Sequence, residues 1–128
     1  MKKLAMVAVV SAGLVVQATS FAGAVFSAPV VVGTRIAYGS VKAARNSANT
    51  KEFIGCAAYG ATQVAQTTYV ACSASDAAGN TFYCATYGAA PQLVQAALSV
   101  SGSSSIIVNS DASNNCTYIY VANNSGFL

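Results

Sequence analysis

"TTYVACSASDAAGNTFYCATY", Thr67–Tyr87, is the stretch whose reading decides the fold. Asp76 can open a tight turn, and Gly79 suits the left-handed position such a turn requires. The residues on either side are rich in Thr, Tyr, Val and Phe, as strands are. A hairpin centred on Ala78 sets Cys72 opposite Cys84 and Tyr69 opposite Tyr87. The preceding stretch "KEFIGCAAY", Lys51–Tyr59, is a further strand. Folded back about Val64, it sets Cys56 opposite Cys72 and Tyr59 opposite Tyr69. Two independent turns thus generate two rows across three strands, Cys56–Cys72–Cys84 and Tyr59–Tyr69–Tyr87. Side chains alternate along a strand, so the rows lie on opposite faces. Ile54, Val70 and Phe82 share the cysteine face, which makes it the expected core.

Outward from this meander, "APQLVQAALSV", Ala90–Val100, has helical spacing. Leu93, Val94, Ala97 and Leu98 fall on one side, and Pro91 suits the first turn. "SIIVN" and "CTYIYVAN" follow as two strands around "SDASNN", which repeats the S-D-A-x-x-N of the first turn. Upstream, Val25–Gly39 is apolar and reads as a strand or an arm, and Val41–Ala48 as a short helix. The expected class is α+β, mainly antiparallel β: a three-stranded meander, one helix and a terminal β-hairpin, with a small β-sandwich as the alternative. The expected organisation is a signal peptide over 1–24, an N-terminal arm and polar lead-in over 25–50, and a disulfide-stabilised β-rich domain over 51–128.

Lys2 and Lys3, then the uncharged run Leu4–Val16, then Ala22-Gly23-Ala24 have the form of an export signal cleaved after Ala24. The apolar run is too short for an ordinary membrane span. Removing 24 of the 128 residues leaves 104, and the two signal lysines go with them. Four cations then face three acids, a net charge of +1 rather than the +3 of the full chain. Nucleic acid loses its electrostatic argument as a partner, and no stable membrane insertion is expected after signal removal. Charged residues make up 7% of the chain, against about 25% in an ordinary soluble domain. That composition suits exported domains and subunits that pack on one another. The expected location is secreted or periplasmic.

Cys56, Cys72, Cys84 and Cys116 read as two disulfides behind an export signal. There is no C-x-x-C pair and no histidine, which argues against a zinc site. The register places Cys56 and Cys84 two strands apart, about 9.5 Å, beyond the roughly 7 Å limit for a bridge. Two connectivities remain: 72–84 with 56–116, or 56–72 with 84–116. The first is favoured, as one hairpin staple and one long-range clamp.

Chemistry is constrained by absence. Without histidine the commonest general base is missing, along with the usual partner of a Ser or Cys nucleophile. No phosphate-binding or dinucleotide-binding glycine motif occurs, so no cofactor is expected. Glu52 and Asp76 could be neighbours in the register, but a polar strand end and a turn residue account for both. A calcium loop at either S-D-A-x-x-N turn would have one carboxylate, too few for such a site. The expectation is a protein that is not an enzyme. Tyr59, Tyr69 and Tyr87 form a candidate binding face, since tyrosine combines contact area with a polar tip. The more ordinary expectation is that the Leu93–Leu98 helix or the N-terminal arm covers this row. Lys42, Arg45 and Lys51 are a candidate cationic contact, set in a stretch where Asn46, Ser47, Asn49 and Thr50 read as cap and turn residues.

"ARNSANTKEFIGC", "VACSASDAAGNTFYC" and "CTYIYVANNS" together resemble a group of small exported bacterial proteins of uncharacterised function. The likeness spans Ser40 to Ser125. It implies export and a paired-cysteine β framework, and it implies no activity. The expected function is an exported, non-enzymatic domain with a binding or structural role at the cell envelope or outside the cell. Its partner would be a protein or a glycan. The alternatives are a self-associating subunit of an extracellular fibre and an inhibitor of a foreign hydrolase.

Overall fold

The computed structural model describes residues 27–60 and 68–123; the expected export signal lies outside them. Among the described residues, seven strands and two helices follow in order: β1 (Val31–Val32), β2 (Ile36–Ser40), α1 (Val41–Asn46), β3 (Phe53–Gly60), β4 (Thr68–Ser75), β5 (Thr81–Tyr87), α2 (Pro91–Leu98), β6 (Ser105–Ser110) and β7 (Cys116–Ala122). They form two antiparallel sheets, β3-β4-β5 and β1-β2-β6-β7. The meander, the helix and the terminal hairpin are as the sequence indicates. The pairing Cys56–Cys72–Cys84 and Tyr59–Tyr69–Tyr87 is also as read. The apolar N-terminal segment is not a loose arm. Its β2 pairs along β6 and turns the terminal hairpin into a four-stranded sheet.

One core lies between the sheets. Ile54, Val70, Cys72, Ala74, Phe82 and Cys84 come from the meander, and Ala37, Ile106, Val108, Cys116 and Ile119 from the larger sheet. Helix α2 packs on β7, β3 and β4, burying Ala97 and half-burying Leu93 and Val94. Leu98 does not join this face and is 67% exposed. At about 100° per residue it sits well round the helix from Ala97, in the last turn. Gly39 marks a close approach: a Cβ there would meet the Val30 Cα at 2.8 Å and the Pro29 carbonyl oxygen at 3.0 Å. Glu52 ties the same segment down, its Oε1 accepting from the Val30 N–H at 2.6 Å.

The two S-D-A-x-x-N segments are plain turns of one design. Asp76 accepts from the Asn80 N–H through Oδ1 and from the Asn80 side chain through Oδ2. Asp111 does the same with Asn115. Gly79 takes φ +93° in one turn and Asn114 φ 60° in the other, the residue types that tolerate left-handed backbone.

The disulfides are Cys56–Cys72 and Cys84–Cys116, so the favoured pairing 72–84 with 56–116 is overturned. The reason lies in the phase of backbone hydrogen bonding. In an antiparallel strand a residue turns both polar groups to one neighbour, and the next residue turns them to the other. The Asp76 N–H bonds the Asn80 carbonyl at 3.0 Å, which makes that pair hydrogen-bonded. Four positions on, Cys72–Cys84 is again a hydrogen-bonded pair, the kind with Cα atoms about 5.5 Å apart. On its other side Cys72 makes a non-hydrogen-bonded pair with Cys56, where side chains come closest. Their Cα atoms are 4.0 Å apart.

Cys84 is left to reach across the core to β7. A bulge makes this possible. Asn109 pairs with Tyr118 but Ser110 pairs with Cys116, leaving Thr117 as the extra residue. Without it Cys116 would face outward with Tyr118 and Tyr120. With it Cys116 and Ile119 both point into the core. Two hydrogen bonds flank the bridge: Ala85 N–H to the Asn114 carbonyl at 2.9 Å, and Thr86 Oγ1 to the Cys116 carbonyl at 3.1 Å.

The bridges close loops of different length, with sequence separations of 16 and 32. Chain-entropy scaling gives about 3 kcal/mol for Cys56–Cys72 and about 4 kcal/mol for Cys84–Cys116. In urea unfolding the paired replacement Cys84→Ala/Cys116→Ala is expected to cost more than Cys56→Ala/Cys72→Ala. The reverse order would show that the inter-sheet bridge is not the main clamp.

Candidate functional site

The outer face of the meander carries every second residue of β3, β4 and β5. Reading across the strands, the rows are Phe53–Ser75–Thr81, then Gly55–Ser73–Tyr83, then Ala57–Ala71–Ala85, then Tyr59–Tyr69–Tyr87. Large rings thus stand beside a floor of very small side chains. The expectation that α2 or the N-terminal segment covers this row does not hold. Helix α2 is packed with the core side, and Tyr59 is 60% exposed, Tyr83 55% and Tyr87 75%. The parity that sends the cysteines inward sends the tyrosines out.

The rings are ordered by one another. Tyr59 stacks on Tyr69 with centroids 5.5 Å apart, and Tyr69 meets Tyr87 at 4.6 Å. The hydrogen-bonding phase explains the difference, because Tyr69–Tyr87 is a closely spaced non-hydrogen-bonded pair and Tyr59–Tyr69 is not. Tyr69 and Tyr83 lean together over the alanine row, and their hydroxyls hydrogen-bond at 2.8 Å. That bond, with partial desolvation, pushes the Tyr69 phenol up to about 12. Between Tyr59, Tyr69 and Tyr83 the sheet forms an open depression of about 410 Å³.

The candidate cations sit apart from this face. Lys42 lies on α1. Arg45 lies against the turn at Gly102, and Lys51 against the turn at Gly79. The stretch between them is a built connection. Ser40 caps α1 by accepting from the Ala43 N–H. Asn49 Oδ1 accepts from the N–H groups of Lys51 and Glu52 at 3.0 and 2.8 Å, and its Nδ2 donates to Glu52 Oε2 at 3.0 Å.

All three side-chain carboxylates are engaged in holding the backbone. The Val30 N–H first, then Ser47 and Asn49, hold Glu52 below the usual carboxylate range. The Asn80 and Asn115 side chains do the same for Asp76 and Asp111. Glu52 and Asp76 are near enough to interact, as the register suggests, yet each is committed to its own backbone partner. Cys72, Cys84 and Cys116 bring their sulfurs within 4.8 Å of one another, but disulfide bonding of all four cysteines leaves no thiolate for a metal. The sequence missed Tyr83 as a member of the site. The signal was present, since Tyr83 shares the outward parity of Tyr87, four residues on.

No protein-family model, curated protein or solved structure matches this chain.

The raised Tyr69 pKa has a signed consequence. Its folded value lies above the unfolded value of about 10, so its contribution to stability is present below pH 10 and is lost as pH rises through 12. In an ultraviolet absorbance titration, Tyr83→Phe is expected to return one late-ionising tyrosine to the ordinary range. An unchanged titration would show that the Tyr69–Tyr83 bond is not formed in solution.

Proposed function

We propose that this chain is an exported, non-enzymatic domain that docks a protein or glycan at the cell envelope or outside the cell, through the tyrosine face of its meander. One observation carries the reading: Tyr59 and Tyr87 are exposed and Tyr69 between them is half-buried, on a sheet whose other face is fixed by two disulfides. Monomeric proteins seldom leave a contiguous aromatic patch open without a use for it. Tyrosine is also enriched where partners meet. Two disulfides suit an oxidising compartment. The commitment of every carboxylate to structure, together with the lack of histidine, supports a role without acid–base chemistry.

A second reading, a self-associating fibre subunit, is favoured by the other sheet. Ile36, Tyr38, Tyr118 and Tyr120 are exposed there. Tyr38 and Tyr120 both pair with Ile107, so they form a row of their own. The domain thus carries aromatic faces pointing away from one core in two directions, as repeated stacking of copies would use.

The test immobilises the mature domain and exposes it to envelope and medium fractions of the producing culture. Wild type is expected to retain a component that Tyr59→Ala/Tyr69→Ala/Tyr87→Ala releases, with the variant folded by circular dichroism. Equal retention by both would remove the tyrosine face from the function. Concentration-dependent oligomers in size-exclusion chromatography, abolished by Tyr118→Ala/Tyr120→Ala, would favour the fibre reading instead.

A further inference from the structure

The depression on the meander has a shape and chemistry of its own. Its floor is Gly55, Ala57, Ala71 and Ser73, and its walls are Tyr59, Tyr69 and Tyr83. Among the described residues no charged side chain lines it. A Cβ built on Gly55 would have nothing within 4 Å, so the space directly over the floor is open. The floor spans two outward positions along each of two strands, about 7 Å by about 5 Å. That is one six-membered ring in extent. A polyproline-type peptide needs about 9 Å for a single turn and does not fit within the walls.

We propose that this depression binds one ring of an uncharged carbohydrate. The inference rests on the docking role proposed for the same face and names its ligand class. The C–H faces of a sugar ring carry slight positive charge and complement the negative faces of the tyrosine rings. Its hydroxyls meet the Tyr59 and Tyr83 hydroxyls and Ser73 Oγ, which can donate or accept. An ionised sugar would lose hydration here and meet no opposite charge in return. The hydrogen bond that holds Tyr83 to Tyr69 pre-sets two walls, so binding need not order them.

The test is isothermal titration calorimetry of the mature domain with cellohexaose, maltoheptaose and chitohexaose, with an oligogalacturonate as the anionic control. At least one neutral oligosaccharide is expected to bind, and the oligogalacturonate is not. Gly55→Val puts a side chain over the floor without removing a tyrosine, its Cβ meeting nothing within 4 Å, and is expected to weaken binding at least roughly tenfold, about 1.4 kcal/mol. Tyr118→Ala, on the other sheet, is expected to leave it unchanged. No binding by any neutral oligosaccharide, equal binding of the oligogalacturonate, or full binding by folded Gly55→Val would each overturn the proposal. If the sugars fail while the triple tyrosine variant still releases a retained component, the ligand class falls and the docking role stands.

Discussion

The hydrogen-bonding phase along β4 governs the molecule. Cys72 turns its backbone polar groups toward Cys84 and away from Cys56, so its sulfur bridges to the nearer side chain across β3. Cys84 must then find its partner elsewhere. The Thr117 bulge turns Cys116 into its reach, and the two sheets are joined along the β5 and β7 edges. A chain of this size has a modest core, here built among the described residues from valines and isoleucines, alanines, three cysteines and Phe82. Covalent closure stands in for much of the apolar area that a larger domain would bury.

The same phase shapes the outer surface. Alternation places Tyr59, Tyr69 and Tyr87 opposite the cysteine row, and close pairing brings Tyr69 and Tyr87 nearer than Tyr59 and Tyr69. Because α2 packs with the core side and β7 rather than over this face, Tyr59, Tyr83 and Tyr87 stay exposed and Tyr69 half-buried. The Tyr69–Tyr83 hydrogen bond spans a row of alanines and leaves a depression beside it. The docking reading grows from this arrangement: a rigid, neutral, aromatic surface with small residues where a ligand ring can lie.

The sequence made the meander legible because two residue types recur at matched distances from two turns. Cys56, Cys72 and Cys84 fix the register, and the tyrosines repeat it on the other face. The S-D-A-x-x-N turns were equally clear, since each role follows from local backbone geometry. Three features were not legible. The disulfide choice depends on which pairs are hydrogen-bonded, and spacing alone does not reveal that phase. The pairing of Ile36–Ser40 with Ser105–Ser110 joins segments far apart in the chain, with only ordinary apolar residues to announce it. Exposure of the tyrosine row depends on where α2 docks, and its apolar side would have suited either face of the meander. Tyr83 stands apart from the aligned tyrosines in the register, two rows away across Ala57–Ala71–Ala85.

The disulfide connectivity tests the central constraint most directly. Chymotrypsin can cut at Tyr59 or Tyr69, at Phe82 or Tyr83, and at Tyr87 or Leu98, so it separates all four cysteines. Mass spectrometry of the unreduced digest should show peptides joined through Cys56–Cys72 and through Cys84–Cys116. Peptides joined through Cys72–Cys84 and Cys56–Cys116 would contradict the hydrogen-bonding phase, and with it the placement of both the clamp and the tyrosine face.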